Sequence, residues 1–262
     1  MFLTHHGAQL FYETLGSGPD IVLLHAFPSC HEMWLPVANR LASSFRVTVV
    51  DLRGLGQSGL AMDTVTMAQH ADDVFRICRE VSIEKAAFAG CSIGGYILFE
   101  LWRSQRERVR SLIFCDTRAA ADTPEGRANR LKSVEDVLAR GPAEFLDSMT
   151  TKLLADSAQR DRRDIVDATR HSMRYSTAAG IAAIQRGMAQ RPDSTPTLST
   201  INLPTLILFG EEDTITPVSD GQAMARAIRG SLFHVVPRAG HLSPLEQPEE
   251  IHRLIRNFLD RL

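Results

Sequence analysis

The hexapeptide Gly90-Cys91-Ser92-Ile93-Gly94-Gly95, which closes the apolar run Ala86-Ala87-Phe88-Ala89, constrains this chain more than any other stretch. It reads as G-x-S-x-G, in which a strand turns abruptly into a helix and lifts a serine hydroxyl out of a sheet. The glycines follow from that geometry. Strand and helix pass so closely that the positions two before and two after the serine have no room for a side chain. Alone the pattern is modest, because Gly and Ser are common turn residues. Its surroundings strengthen it: the run in front is strand-like, and Tyr96, Ile97, Leu98, Leu101 and Trp102 behind it recur at helical spacing.

The same alternation continues along the chain. Strand-like runs lie at Gln9–Glu13, Asp20–His25, Arg46–Asp51, Lys85–Cys91, Val109–Cys115, Thr205–Gly210 and Leu232–Pro237. Most are continuous in Val, Ile, Leu and Phe, as strands covered on both faces of a parallel sheet must be. Helical patterns separate them at Met33–Ser43, Thr66–Val81, Tyr96–Gln105, Ser219–Ile228 and Pro248–Leu262. This order predicts a doubly wound α/β sheet. Leu15-Gly16-Ser17-Gly18-Pro19 joins the first two runs like a hairpin turn and predicts an antiparallel N-terminal edge.

Between residues 118 and 198 the strands stop. Helices are expected there at Pro124–Arg140, Pro142–Leu154, Asp164–Tyr175 and Thr177–Gln190. Four helices between two strands read as a cap over the carboxyl ends of the sheet, with residues 1–117 and 199–262 forming the core. The 262-residue length and 44% hydrophobic content suit one such core with an insertion.

A formal net charge of −2 argues against nucleic acid as a partner, since phosphate binding needs clustered Lys and Arg. No apolar run reaches membrane-spanning length, so no membrane role is expected. The N-terminus lacks a basic stretch followed by an apolar one, so no signal peptide is expected. The four cysteines, Cys30, Cys78, Cys91 and Cys115, show no C-x-x-C spacing and suit free thiols of a reducing compartment. A cytoplasmic location follows as the expectation.

Ser92 needs a base, and His241 follows the last strand-like run in Arg238-Ala239-Gly240-His241-Leu242-Ser243-Pro244. A loop there brings an imidazole over the sheet end. The imidazole needs an acid to hold its tautomer and stabilise its cation. Asp213, in Gly210-Glu211-Glu212-Asp213 after the strand Thr205–Phe209, is the expected acid; the plain alternative for it is an Asx turn before Thr214-Ile215-Thr216-Pro217. Asp116, at the end of the preceding strand, is the competitor. Backbone N–H groups suit a developing oxyanion because they are already fixed. Ile93, the residue after the serine, supplies one, and Phe27 in His25-Ala26-Phe27-Pro28 supplies the other.

Three rival readings are weaker. Gly54, Gly56 and Gly59 match G-x-G-x-x-G, with Asp72 and Asp73 near the distance of a ribose-binding acid, but no helix opens at once and the preceding strand is not the first. Asp51 and Arg53 are instead expected to tie loops together. No metal site is expected: His31-Glu32 begins like H-E-x-x-H without its second His, and His5-His6 sits at a chain end read as mobile. Cys91 lacks the symmetrically placed glycines of Ser92 and is expected to pack inside.

Together, His25-Ala26-Phe27-Pro28, Asp51 to Ser58, Gly90 to Gly95, Gly210 to Asp213 and Gly240-His241 resemble the α/β-hydrolase superfamily over nearly the whole chain. The C-terminal segment Gly240 to Glu249 looks like small bacterial carboxylesterases and 3-oxoadipate enol-lactonases. Ala26, where a glycine is usual, and Cys91, where His, Trp or Phe is frequent, depart from the pattern. Serine rather than aspartate at position 92 sets the chain apart from haloalkane dehalogenases. The resemblance implies an α/β-hydrolase fold: a mostly parallel eight-stranded sheet, helices on both faces and a four-helix cap. It implies a cofactor-free serine hydrolase of a small-molecule ester or lactone, with Ser92, Asp213 and His241 as triad. His25, Arg118 and Leu242 are expected near the substrate, and Met149, Leu153 and Met173 around the acyl pocket. The alternatives are hydrolysis of a carbon–carbon bond, haloperoxidase or perhydrolase chemistry on the same triad, and a non-catalytic small-molecule binding protein.

Overall fold

The seven apolar runs all form strands, and one further strand precedes them, in a computed structural model that describes all 262 residues. The strands are β1 (Phe2–His5), β2 (Ala8–Leu15), β3 (Asp20–Leu24), β4 (Arg46–Val50), β5 (Ala86–Cys91), β6 (Val109–Cys115), β7 (Thr205–Gly210) and β8 (Leu232–Val236). They form one sheet in the order β1-β2-β4-β3-β5-β6-β7-β8. The β1/β2 and β2/β4 pairs are antiparallel and the others parallel.

The N-terminal edge is thus antiparallel as expected, but β3 is not the partner of β2. β4 lies between them, with Tyr12–Leu15 opposite Val47–Val50 on one side and Asp20–Leu24 beside Arg46–Val50 on the other. The Gly-rich link is held on β4, where the Arg46 N–H donates to the Pro19 carbonyl at 2.9 Å and the Arg46 guanidinium pairs with Asp20. Its composition announces a turn and carries no information on which strand follows it in space.

The core helices are α1 (Leu35–Leu41), α2 (Met67–Glu80) and α3 (Ile93–Gln105). The segment between β6 and β7 carries α4 (Pro124–Arg140), α5 (Ala143–Leu153), α6 (Asp156–Asp161), α7 (Arg163–Ser172), α8 (Ala178–Ala189) and α9 (Thr195–Leu198), and the C-terminal part carries α10 (Val218–Ala227), α11 (Ser243–Glu246) and α12 (Pro248–Leu259). The four helices expected in the insertion are present, and the short α6 and α9 accompany them. Thr66 caps α2 by accepting from the Gln69 N–H at 3.1 Å.

Two apolar layers sandwich the sheet because successive strand residues point to opposite faces. Val22 and Leu24 of β3 join the layer that holds α2 and α3; Ile21 and Leu23 join the layer that holds α1 and α12. The insertion packs on loops at the carboxyl ends of the strands. Ser172 and Ser176 bond to Ser29 and the Pro28 carbonyl after β3, the Ala183 carbonyl accepts from Val65 in the β4–α2 connection, and the Leu153 carbonyl accepts from His241 after β8. No helix is long and apolar enough to cross a membrane.

Candidate active site

β5 ends at Cys91 and α3 begins at Ile93, so Ser92 is the whole of the turn. Its backbone sits at φ 54° and ψ −113°, a conformation that L-residues adopt only where the surroundings impose it. The surroundings do so twice: the Ser92 N–H donates to the Cys115 carbonyl at 3.0 Å, and the Thr117 hydroxyl donates to the Ser92 carbonyl at 2.7 Å. A Cβ at Gly90 would lie 2.3 Å from the Gly94 carbonyl carbon, and one at Gly94 2.6 Å from the Leu24 carbonyl oxygen. Only glycines let β5, β3 and α3 approach so closely.

The Ser92 hydroxyl, partly exposed, lies 2.8 Å from His241 Nε2. His241 Nδ1 lies 2.8 Å from Asp213 Oδ2. Both partners of Ser92 are buried. Asp213 uses its two oxygens separately. Oδ1 accepts the Ile215 and Thr216 N–H groups at 2.8 and 3.0 Å, which is the Asx turn, while Oδ2 faces the imidazole and also accepts the Thr216 hydroxyl. Burial alone raises the Asp213 carboxyl; the charge and hydrogen bond of His241 and the bonds from Thr216 outweigh it and hold the group below the usual carboxylate range.

Asp116 does not touch His241. Its Oδ1 accepts the Gly210 N–H at 2.7 Å and its Oδ2 accepts the Ser243 hydroxyl. Burial, reinforced by the charge of Asp213, pushes this carboxyl well above its ordinary value. Cys91 is fully buried with its thiol against the His241 carbonyl, and burial pushes it well above the usual thiol range, so it is no nucleophile.

The Ile93 N–H opens α3 and lies outside the intrahelical ladder. The Phe27 N–H donates to no protein acceptor, in a loop whose Phe27-Pro28 bond is cis. The loop is braced from behind by His25. That residue is not a substrate contact: its Nδ1 bonds the Ala26 carbonyl at 2.9 Å, and its Nε2 accepts the Leu52 N–H at 2.9 Å. Burial lowers its pKa to about 4, consistent with a neutral ring in both roles. Leu242 is likewise core, fully buried in the layer that holds Cys91, Leu153 and Met173. Arg118 is engaged elsewhere, paired with Asp220 at 3.2 Å and donating to the Ile215 carbonyl. His25 and Leu242 are thus fully buried in structural contacts, whereas Arg118 stays about one-third exposed in its ion pair.

The glycine-rich loop after β4 binds its own chain. Asp51 accepts the His31 N–H and Nδ1 at 2.7 and 2.8 Å and the Gln57 N–H at 2.8 Å. Arg53, fully buried, forms a two-pronged pair with Asp73 at 2.8 and 2.6 Å. The acid that spacing alone assigns to a ribose is thus spent on an arginine.

Two residues escaped the sequence reading. Thr216 steadies Asp213 and lies 3.2 Å from His241 Nδ1. Glu246, buried, accepts the Gly240 N–H on Oε1 and the Ala155 N–H on Oε2, each at 2.9 Å, and so ties the His241 loop to the insertion. A Cβ at Gly240 would lie 2.4 Å from the Ala155 nitrogen, which explains the glycine before the histidine. The only sequence signal for Glu246 is a carboxylate five residues beyond His241.

A strained serine elbow at the end of a central strand, facing an imidazole–carboxylate pair on the next sheet-end loops, is the arrangement of α/β-hydrolases. The chain belongs to that family: the sequence pattern of the alpha/beta hydrolase fold matches residues 19–248. Among relatives, it is 32% identical to 3-oxoadipate enol-lactonase 1 of Acinetobacter baylyi, over 99% of this chain and 96% of that protein. A thermophilic esterase from Thermogutta terrifontis, solved with malate bound, superposes with a TM-score of 0.94 at 39% identity, covering 97% of this chain and 94% of the other. The enol-lactonase from Burkholderia xenovorans LB400 shares the fold, with a TM-score of 0.91 at 24% identity and coverage of 99% and 100%.

Proposed function

We propose that this chain is a serine hydrolase of carboxylic esters or lactones that works through an acyl-enzyme. The observation that carries the reading is the unbroken relay from Ser92 Oγ to His241 Nε2 and from His241 Nδ1 to Asp213 Oδ2, 2.8 Å at each step. His241 takes the Ser92 proton as the hydroxyl oxygen attacks the acyl carbon. Asp213 holds Nδ1–H in place and stabilises the imidazolium. The Phe27 and Ile93 N–H groups receive the oxyanion. His241 then passes the proton to the leaving alkoxide, and water cleaves the acyl-enzyme by the same steps reversed. With a lactone the alkoxide stays attached to the acyl chain and one product leaves.

Residues 118–198 act as the cap that shapes the acyl pocket. The Phe145 ring of α5 lies 5.9 Å from the Phe27 ring over the oxyanion loop, which supports that role. Arg118 is paired with Asp220, both side chains about one-third exposed, so a substrate carboxylate would have to displace Asp220 to use this cation. Four buried free thiols support a reducing compartment.

Ser92→Ala, assayed on short p-nitrophenyl esters, is expected to lower turnover by at least about 1,000-fold while the protein stays folded. An organophosphonate with a good leaving group is expected to phosphonylate Ser92, the P–O bond forming as the leaving group and the hydroxyl proton depart, seen as a gain of the phosphonyl mass on that residue. A folded variant with wild-type turnover would sink the mechanism. A panel containing simple esters and 3-oxoadipate enol-lactone ranks the substrates.

A further inference from the structure

His5 and His6 close β1 and enter its turn, far in sequence from Asp72 on α2. Neighbouring residues of a regular strand point to opposite faces, so the two imidazoles should diverge. They do not, because His6 takes a left-handed backbone at φ 45°, followed by Gly7 at φ 74°. The chain turns there, and the ring centroids come to 3.9 Å. Both rings then present Nε2 to one carboxylate oxygen: His5 at 2.8 Å and His6 at 3.2 Å from Asp72 Oδ2. The end of the chain read from sequence as mobile is held in the fold.

We propose that His5, His6 and Asp72 form a surface binding site for a late first-row divalent transition ion such as Zn²⁺. The donor set is two imidazole nitrogens and one carboxylate, which suits zinc, nickel or copper rather than the oxygen-seeking calcium or magnesium. The three donor atoms lie within 4.8 Å of one another. Metal bonds of about 2.1 Å in a tetrahedron space their donors about 3.4 Å apart, so small side-chain rotations complete the site. His5 is 16% exposed, whereas His6 and Asp72 are 56% and 44% exposed, which leaves the fourth position to water from the open side.

The backbones that carry these ligands are already tied together. The buried Arg53 guanidinium donates to the His5 carbonyl at 3.0 Å and the His6 carbonyl at 3.5 Å, while its pair Asp73 sits beside Asp72 on α2. Asp73, consumed by Arg53, is not a fourth ligand. A bound ion would staple the β1–β2 hairpin, the edge of the sheet, to α2. The other convergent group, Cys30, His31 and Asp51, is not such a site. It is buried, Asp51 is filled by N–H donors, and burial pushes the Cys30 thiol up to about 12.

Calorimetric titration of the untagged, full-length chain with ZnCl2 tests the site, with NiCl2 and MgCl2 in parallel. One Zn²⁺ or Ni²⁺ per chain is expected, and no Mg²⁺. His6→Ala and Asp72→Asn should each weaken Zn²⁺ binding at least about tenfold. His171→Ala, which alters an exposed histidine near Glu32, should leave it unchanged. Zn²⁺ should raise the melting temperature of the wild type but not of Asp72→Asn, with metal-free melts establishing that each variant is folded. Absence of saturable binding to the wild type at about 1 mM Zn²⁺, or equal affinity in both ligand variants, would overturn the proposal.

Discussion

Asp213 and Asp116 are both buried carboxyls at the carboxyl ends of neighbouring strands, yet only Asp213 reaches the imidazole. The difference lies in direction. Asp116 has φ 46°, and its side chain bonds the Gly210 N–H and Ser243, so it joins the Asp213 loop to the His241 loop. Asp213→Asn keeps the shape of the site but can offer an N–H to His241 Nδ1 and so favour the wrong tautomer. Its kcat on p-nitrophenyl acetate is expected to fall by about 1,000- to 10,000-fold. Asp116→Asn is expected to lower the melting temperature and to cost kcat no more than about tenfold, because it removes a brace and no proton-handling contact. Equal losses of kcat would overturn this division of work. The order Ser, Asp, His was legible in the chain. The choice between two aspartates was not, since it depends on a backbone twist fixed by contacts about 94 to 127 residues away, such as Gly210 N–H and Ser243 with Asp116.

At the scale of elements, His241 is held by the insertion as much as by the sheet. The His241 N–H donates to the Leu153 carbonyl at the end of α5, and Glu246 of α11 grips Gly240 and Ala155 with separate oxygens. Glu246→Gln puts an amide NH2 against one of those two N–H donors, because an amide has a single acceptor oxygen. The loss of one buried bond should cost about 1–3 kcal/mol of stability. It should also lower kcat by about 3- to 30-fold with a smaller change in KM, since His241 shifts relative to Ser92. Denaturant melts and steady-state kinetics on one ester measure both; reduced stability with unchanged kcat would confine Glu246 to packing. Elements with a continuous apolar run or a clear helical stripe were legible in the sequence. β1 was not, because Leu3 is its one buried residue, nor was α6, whose six residues bury Ala158 alone. The β2/β4 pairing was hidden because strand partners depend on the order of the whole sheet and not on the intervening turn.

For the whole molecule, buried ionisable groups set how stability changes with pH. Burial lowers His25 from 6.5 to about 4 and His70, on α2, from 6.5 to about 3. Burial raises Glu246 from 4.5 to about 7. Below pH 6.5 the unfolded chain takes up protons on both histidines while the folded chain excludes them, so stability falls as pH drops through this range. Glu246 has the opposite sign: between 4.5 and 7 the folded chain holds its proton and the unfolded chain has released it, so this contribution is lost as pH rises through 7. Asp116, which burial and the charge of Asp213 push well above its ordinary value, acts in the same direction as Glu246, so the acid limb is set by the difference between the two buried histidines and these two buried carboxyls. Neither ring nitrogen of His70 has a protein partner, so His70→Leu breaks no hydrogen bond and nearly conserves volume. It should cost less than about 1.5 kcal/mol at pH 7 and shift the pH slope of stability between pH 6.5 and 4.5 by about one proton, or about 1.4 kcal/mol per pH unit, relative to wild type. Urea titrations of wild type and variant across that interval decide the point: an unchanged wild-type slope in His70→Leu would mean that buried histidine does not govern the acid limb.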